Sequence, residues 1–150
     1  SLCVHSRRGD FLKSKMQAHS NVIFTLPAID FLREKKKNTS VVFIGDDKKW
    51  EKIIANVENY AIAQANGSTA PPEVDWEFSR QYCDTVLLTA SASTFGWFIG
   101  YMSKYNDVYY NAVFSKPNGF RTEFIPNDFF PAEWTPLEYD TSSKRVGVRP

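Results

Sequence analysis

Apolar and polar positions along this chain alternate between two rhythms. Short apolar runs, Leu2-Cys3-Val4, Val41-Val42-Phe43-Ile44 and Thr85-Val86-Leu87-Leu88-Thr89, are each closed by small or polar residues, as buried strands are. Between them lie segments of helical spacing. Phe24 to Lys37 carries Leu26, Ile29, Phe31 and Leu32 and ends in the basic turn Arg33-Glu34-Lys35-Lys36-Lys37, which suits a helix C-terminus. Lys48 to about Val57, with Trp50, Ile53, Ile54 and Val57, predicts an amphipathic helix. Further helices are expected from Asp75 to about Tyr82 and from Phe95 to Met102, the latter almost wholly apolar. Tyr60-Ala61-Ile62-Ala63 reads as a short strand, Ala65 to Pro72 as a loop, and Val108-Tyr109-Tyr110 as the last strand. From Lys116 onward Pro, Phe and Trp follow no clear period, so residues 116–150 are expected to form an irregular tail packed over an α/β core of residues 1–115.

Strands alternating with helices through short connections predict the α/β class, a Rossmann-like parallel sheet with helices on both faces. The 150 residues suit one domain, and 43% hydrophobic with 15% aromatic content excludes a disordered chain. A net charge of +1 excludes a bulk nucleic-acid binder, so any attraction for phosphate must come from local placement of Arg and Lys. No apolar stretch is long enough to cross a bilayer, and a chain that runs into a strand from its first residues is expected to be a piece of a longer polypeptide. Cys3 and Cys83 are too few for a disulfide scaffold or a metal site; both read as buried apolar side chains, with their pairing state open. The sequons at Asn38 and Asn66 are glycosylation candidates and favour a lumenal address.

The first strand opens directly onto His5-Ser6-Arg7-Arg8-Gly9-Asp10. Two adjacent guanidinium groups at the carboxyl end of a strand, where open α/β sheets bind their ligands, predict a site for anionic oxygen such as a phosphate ester. A second constellation follows another strand: Ser93, Thr94 and Phe95 stand where a helix begins, and unpaired N–H groups with the helix dipole favour an anion there. The same hydroxyls serve equally as helix caps. Asp75, at a helix start, reads as a cap or dipole partner that can also face the crevice and accept from a guanine. There is no GxxxxGKS/T or GxGxxG turn, no GxSxG elbow and no HExxH pair; Asp46-Asp47 lacks Asp-x-Asp spacing, so metal-free chemistry is expected.

With these residues assembled, the chain resembles the inverting α-1,2-fucosyltransferases and, more distantly, the α-1,6- and protein O-fucosyltransferases. Val4-His5-Ser6-Arg7-Arg8-Gly9-Asp10 is similar to the family's V-H-x-R-R-G-D, and Ser93 to Met102 to its T-F-G-W-W-x-x-Y-L, with Phe98 where the pattern has Trp. Val108-Tyr109-Tyr110 followed by Phe129 to Trp134 resembles its terminal strand and F-x-P-x-W ending. The resemblance implies the C-terminal half of a two-lobed GT-B glycosyltransferase, the lobe that holds GDP-fucose, with an N-terminal lobe of the same polypeptide as its partner. It implies that Arg7 clamps the diphosphate and acts catalytically, and that His5 and Asp75 contact the guanine end. Ser93, Thr94 and Phe95 would line the phosphate pocket, while Arg8 supports the turn or the phosphates and Asp10 pairs with Arg8. It further implies fucose transfer with inversion to the 2-hydroxyl of a galactose-type glycan acceptor, with no cofactor, no metal and no nucleic acid. The parent would be a single-pass Golgi protein, and this fragment alone would be inactive. Two other classes remain: a non-catalytic nucleotide- or glycan-binding module, and an adhesion module using Arg8-Gly9-Asp10, which requires those residues on an exposed loop tip.

Overall fold

A computed structural model describes residues 1–62, 71–117, 119 and 124–150. The elements run β1 (Leu2–Ser6), α1 (Val22–Lys35), β2 (Val41–Gly45), α2 (Lys48–Glu58), β3 (Ala61–Ile62), α3 (Pro72–Tyr82), β4 (Thr85–Leu88), α4 (Thr94–Tyr101), β5 (Asp107–Asn111), α5 (Pro126–Phe129), β6 (Thr135–Asp140) and β7 (Arg145–Val148). The seven strands form one sheet in the order β3-β2-β1-β4-β5-β6-β7, parallel throughout except for the antiparallel β6–β7 pair. The first six follow the order of the dinucleotide-binding doubly wound folds, in which the order reverses between β1 and β4 and a crevice opens beyond their carboxyl ends.

Side-chain alternation along each strand builds two cores. Leu2, Val4, Phe43, Leu87, Tyr109 and Leu137 face one side, where they pack with α1 and α2. Cys3, Ile44, Val86, Leu88, Val108 and Tyr110 face the other, against α4 and a layer of rings that includes Trp76, Phe95, Trp97, Phe130 and Trp134. On that second face Cys3 and Cys83 form a disulfide, closing β1 against the end of α3 across 80 residues. Both cysteines are buried as expected, and the pairing state that the sequence left open is decided here: strand pairing brings together two cysteines that are remote in sequence. Disulfides persist in oxidising compartments.

The expected irregular tail is corrected. Residues 135–140 and 145–148 extend the sheet by two strands, so the core continues well past residue 115. Pro136 and the charged residues disguise β6, yet Leu137 and Tyr139 point into the core on alternate positions, and α1 packs over β6 and β7. Two helix starts shift as well. Asn21 caps α1 by accepting from the Phe24 N–H, so α1 begins two residues earlier than its apolar spacing suggests. Pro72 opens α3, where its missing N–H costs nothing, which places Asp75 inside the first turn and not at the cap.

The loop leaving β1 is fixed from several directions. Its Ser20 N–H donates to the Arg7 carbonyl and its Ala18 N–H to the Phe114 carbonyl, while Gln17 bridges to Ser115. Lys116 donates to the carbonyls of Phe11 and Ser14. The loop carrying the arginines therefore rests on the segment that follows β5.

Candidate functional site

The crevice between the carboxyl ends of β1 and β4 is bordered by Arg7 and Arg8 on one side and by the start of α4 on the other. The two arginines, adjacent in sequence, do different things. Arg8 is committed: its Nε donates to Asp47 at 3.2 Å, its Nη1 to the Ser20 carbonyl at 2.7 Å, and its guanidinium lies 4.9 Å from the centre of the Trp50 ring. Arg7 uses only Nε, toward Asp10 at 3.0 Å and Asp46 at 3.3 Å, and rests over Phe11. Its two terminal nitrogens have no partner among the described residues. Asp10 thus pairs with Arg7 and not with Arg8 as expected, and this pairing holds its carboxyl below the usual carboxylate range.

Asp46 and Asp47, which the sequence offered only as a turn without metal-binding spacing, hold the arginine turn. Asp46 accepts the Arg8 backbone N–H at 2.9 Å, and Asp47 both caps α2 through the Trp50 N–H and anchors Arg8. They follow β2, the strand beside β1, so their carboxylates reach the arginine turn from the neighbouring strand end. Gly9 is tight against Asp46: a Cβ there would stand 2.5 Å from Oδ2. Because the Arg8 side chain is turned back onto Asp47 and Trp50, Arg8-Gly9-Asp10 does not present the exposed loop tip that an adhesion site requires.

Ser6 and Glu51 were missed. Glu51, fully buried in the first turn of α2, accepts from the Ser6 hydroxyl at 2.7 Å and from Lys48 at 3.1 Å. Burial raises its pKa against the opposing pull of Ser6 and Lys48. The signal available in the sequence was a carboxylate on an otherwise apolar helix face.

Across the crevice, the Ser93 hydroxyl caps α4 by accepting from the Gly96 N–H at 3.1 Å, so its oxygen serves the helix first. Thr94 is exposed and Phe95 half-buried. His5 lies beneath this turn, 0% exposed, with neither ring nitrogen hydrogen-bonded. Its ring centre is 5.7 Å from that of Phe95, and a Cβ on Gly96 would stand 2.5 Å from Cε1 of His5. Desolvation, with Arg7 and Lys48 adding positive charge, lowers the His5 pKa to about 3, so the ring is neutral. The expected contact between His5 and the guanine is not available in this arrangement, because the ring is enclosed by α4. Its backbone carbonyl instead accepts from the Thr89 hydroxyl and N–H, locking β1 to β4 at the crevice floor.

Asp75 is half-buried on α3, with no hydrogen-bond partner among the described residues; burial raises its pKa, and Lys48 pulls it down. Lys48 is the charge common to His5 and Asp75, which ties the start of α3 electrically to the arginine side. Trp76, next to Asp75, continues the ring layer at 6.0 Å from Phe95. Asn38 is exposed in the left-handed turn after α1, while Asn66 lies outside the described residues.

Cavity volume alone points elsewhere. A space of about 510 Å³ lined by Asp30, Arg33, Asn38 and Ser40 sits at the opposite, amino-terminal edge of the sheet. Chemistry favours the crevice, where the terminal nitrogens of Arg7 make no hydrogen bond among the described residues and the adjacent strand β4 leads to the start of α4.

The sequence matches the model of a family described as "Glycosyl transferase family 11" over residues 1–138. It is 33% identical to a galactoside 2-alpha-L-fucosyltransferase of Caenorhabditis elegans over 95% of this chain and 42% of that protein. A second galactoside 2-alpha-L-fucosyltransferase of the same organism is 35% identical over 90% of this chain and 39% of its own length. Galactoside alpha-(1,2)-fucosyltransferase 1 of Oryctolagus cuniculus is 30% identical over 95% of this chain and 39% of its length. The chain thus spans about two-fifths of the length of the curated relatives it matches. No solved structure matches.

Proposed function

Because the chain belongs to glycosyl transferase family 11, we propose that it is the donor-binding lobe of a fucosyltransferase that takes fucose from GDP-fucose, with inversion, and passes it to the 2-hydroxyl of a galactose-type glycan. The observation that carries this reading is the difference between the two arginines. Arg8 is fully engaged in holding the turn, whereas the terminal nitrogens of Arg7 stand unpartnered at the switch point of the sheet.

In this reading the Arg7 guanidinium takes two oxygens of the donor diphosphate in a bidentate grip. As the bond from the sugar carbon to the phosphate oxygen breaks, its electron pair stays on that oxygen, and a fixed cation stabilises the charge that develops. Asp10 and Asp46 hold Nε and so aim the free edge of Arg7. Thr94 and the backbone N–H groups that open α4 face the second phosphate, and Phe95 borders the pocket. Asp75 accepts from the guanine, while His5 seats the first turn of α4 from below. The acceptor oxygen bonds to the sugar carbon from the opposite face while its proton passes to water or a general base, so the products are the inverted fucoside, GDP and one proton. Countering the leaving diphosphate falls to Arg7 instead of a metal, so transfer by the full-length parent persists in EDTA. A Golgi-lumen address is part of the same reading, supported by the Cys3–Cys83 disulfide and the exposed Asn38 sequon.

GDP should raise the melting temperature of the intact chain, and Arg7→Ala should cost about 2 kcal/mol of GDP affinity, roughly 30-fold. A folded chain whose melting temperature GDP does not move sinks the reading. GDP binding without radiolabelled fucose transfer by the full-length parent would make the protein a nucleotide-binding module instead.

A further inference from the structure

On the same carboxyl edge of the sheet, beside the crevice, a cavity of about 330 Å³ opens between the start of α1 and the ends of β5 and β6. The described residues that line it include no charged side chain, in contrast to the arginine-bordered crevice, a lining that suits an uncharged ligand. Two amides meet there. The Asn21 carboxamide oxygen accepts from the Phe24 N–H and that of Asn111 from the Val113 N–H, each at 2.9 Å. With both oxygens fixed by backbone donors, both NH₂ groups are left as donors without a partner among the described residues. Asn111 is only 5% exposed and lines the cavity, and its NH₂ is not cut off from solvent, so an acceptor on a ligand there takes the place of water. The Tyr139 ring and the exposed side chains of Ile23 and Val113 supply apolar surface around those donors.

Hydroxyl acceptors on one side and C–H groups on the other are the two surfaces of an uncharged sugar ring, and the volume lies at the lower end of small-molecule sites. The cavity is also coupled to the donor side: Ser20, adjacent to Asn21, accepts the Arg7 N–H with its hydroxyl and the Arg8 Nη1 with its carbonyl. We propose that this cavity is a subsite for one sugar ring of the glycan acceptor, with the Asn21 and Asn111 amides donating to ring hydroxyls and Tyr139, Ile23 and Val113 bordering its C–H surface. The choice of a galactoside rests on the transferase reading; the neutral, two-amide site does not.

The test is a titration of the ¹⁵N-labelled chain with methyl β-D-galactopyranoside, followed at the side-chain amide resonances of Asn21 and Asn111. Both should shift. Asn111→Asp, which keeps the oxygen that accepts from Val113 and removes the NH₂, should weaken galactoside binding at least tenfold and leave the thermal shift by GDP unchanged. Ile23→Trp, at a wall position that is 62% exposed and so outside the core, should block the cavity with the same result. Amides that stay still at high galactoside, amides that move with GDP instead, or galactoside binding undiminished in both variants would overturn the subsite. Galactoside shifts in a chain that ignores GDP would uphold the subsite while removing the donor assignment.

Discussion

From β1 the crevice takes Arg7 and Arg8, held in ion pairs with Asp10, Asp46 and Asp47; from α4 it takes Ser93, Thr94 and Phe95, seated on a neutral, fully buried histidine and a layer of aromatic rings. The first side is shaped by charges that keep part of their hydration, the second by packing and exclusion of water. Partly solvated ion pairs contribute little to stability, so the Arg7 side chain can reorient about Nε at small cost. A ring enclosed between a strand and a helix cannot adapt in that way, since interiors are packed to crystal-like density. The flexible chemistry and the rigid support thus occupy opposite walls.

Four perturbations sharpen this contrast, taken from the largest expected effect downward. Replacing Cys3 and Cys83 by Ser should cost about 4 kcal/mol in chemical denaturation, because the bridge closes a long loop and lies inside the aromatic layer. A cost below about 1 kcal/mol would show that the packed side does not depend on it.

Acid should attack the packed side next. The His5 pKa falls from 6.5 to about 3 on folding, so the neutral ring contributes stability that is fully present above 6.5 and is lost as pH falls toward 3. Between pH 7 and 4.5 the unfolded chain takes up the proton and the folded chain does not, a loss of about 3 kcal/mol. Glu51, with its raised pKa, works the other way, losing stability as pH rises. The measurement is therefore the difference between the parent and His5→Leu, in which the contribution of Glu51 cancels. Equal pH profiles for the two proteins would refute the account of His5.

Gly96→Ala brings a Cβ into the imidazole, and overpacking of that kind should destabilise by about 2 kcal/mol, read from the denaturation midpoint. The smallest effect separates the arginines themselves. Arg8→Ala loses a carbonyl hydrogen bond, an ion pair and the Trp50 contact, about 1.5 kcal/mol of stability, whereas Arg7→Ala should stay within about 0.5 kcal/mol and register in GDP affinity instead. If both arginines cost stability equally, the division into anchor and ligand-binding group is wrong.

Much of this was legible in the chain. The apolar runs of β1, β2 and β4 and the helical spacing of α1 and α2 announce an α/β sheet, and the position of Arg7 directly after β1 announces a guanidinium at a strand end. The relatives bear out the family that these motifs resemble. Strand β6 was hidden because Pro136 and Glu138 mask an alternation that matters only when one face is covered. Asp46 and Asp47 looked like a turn because their role depends on β2 lying beside β1.

What the sequence determines by itself is local: which segments bury apolar faces, where caps and turns fall, and which residue types stand at strand ends, since these follow from periodicity and from neighbours a few positions away. Which arginine is left with free nitrogens, that His5 is covered, that Cys3 meets Cys83, and that Asn21 and Asn111 share a cavity were decided by the tertiary structure alone. Each depends on pairs of residues brought together across strand order, and strand order is set by long-range packing that no local pattern encodes.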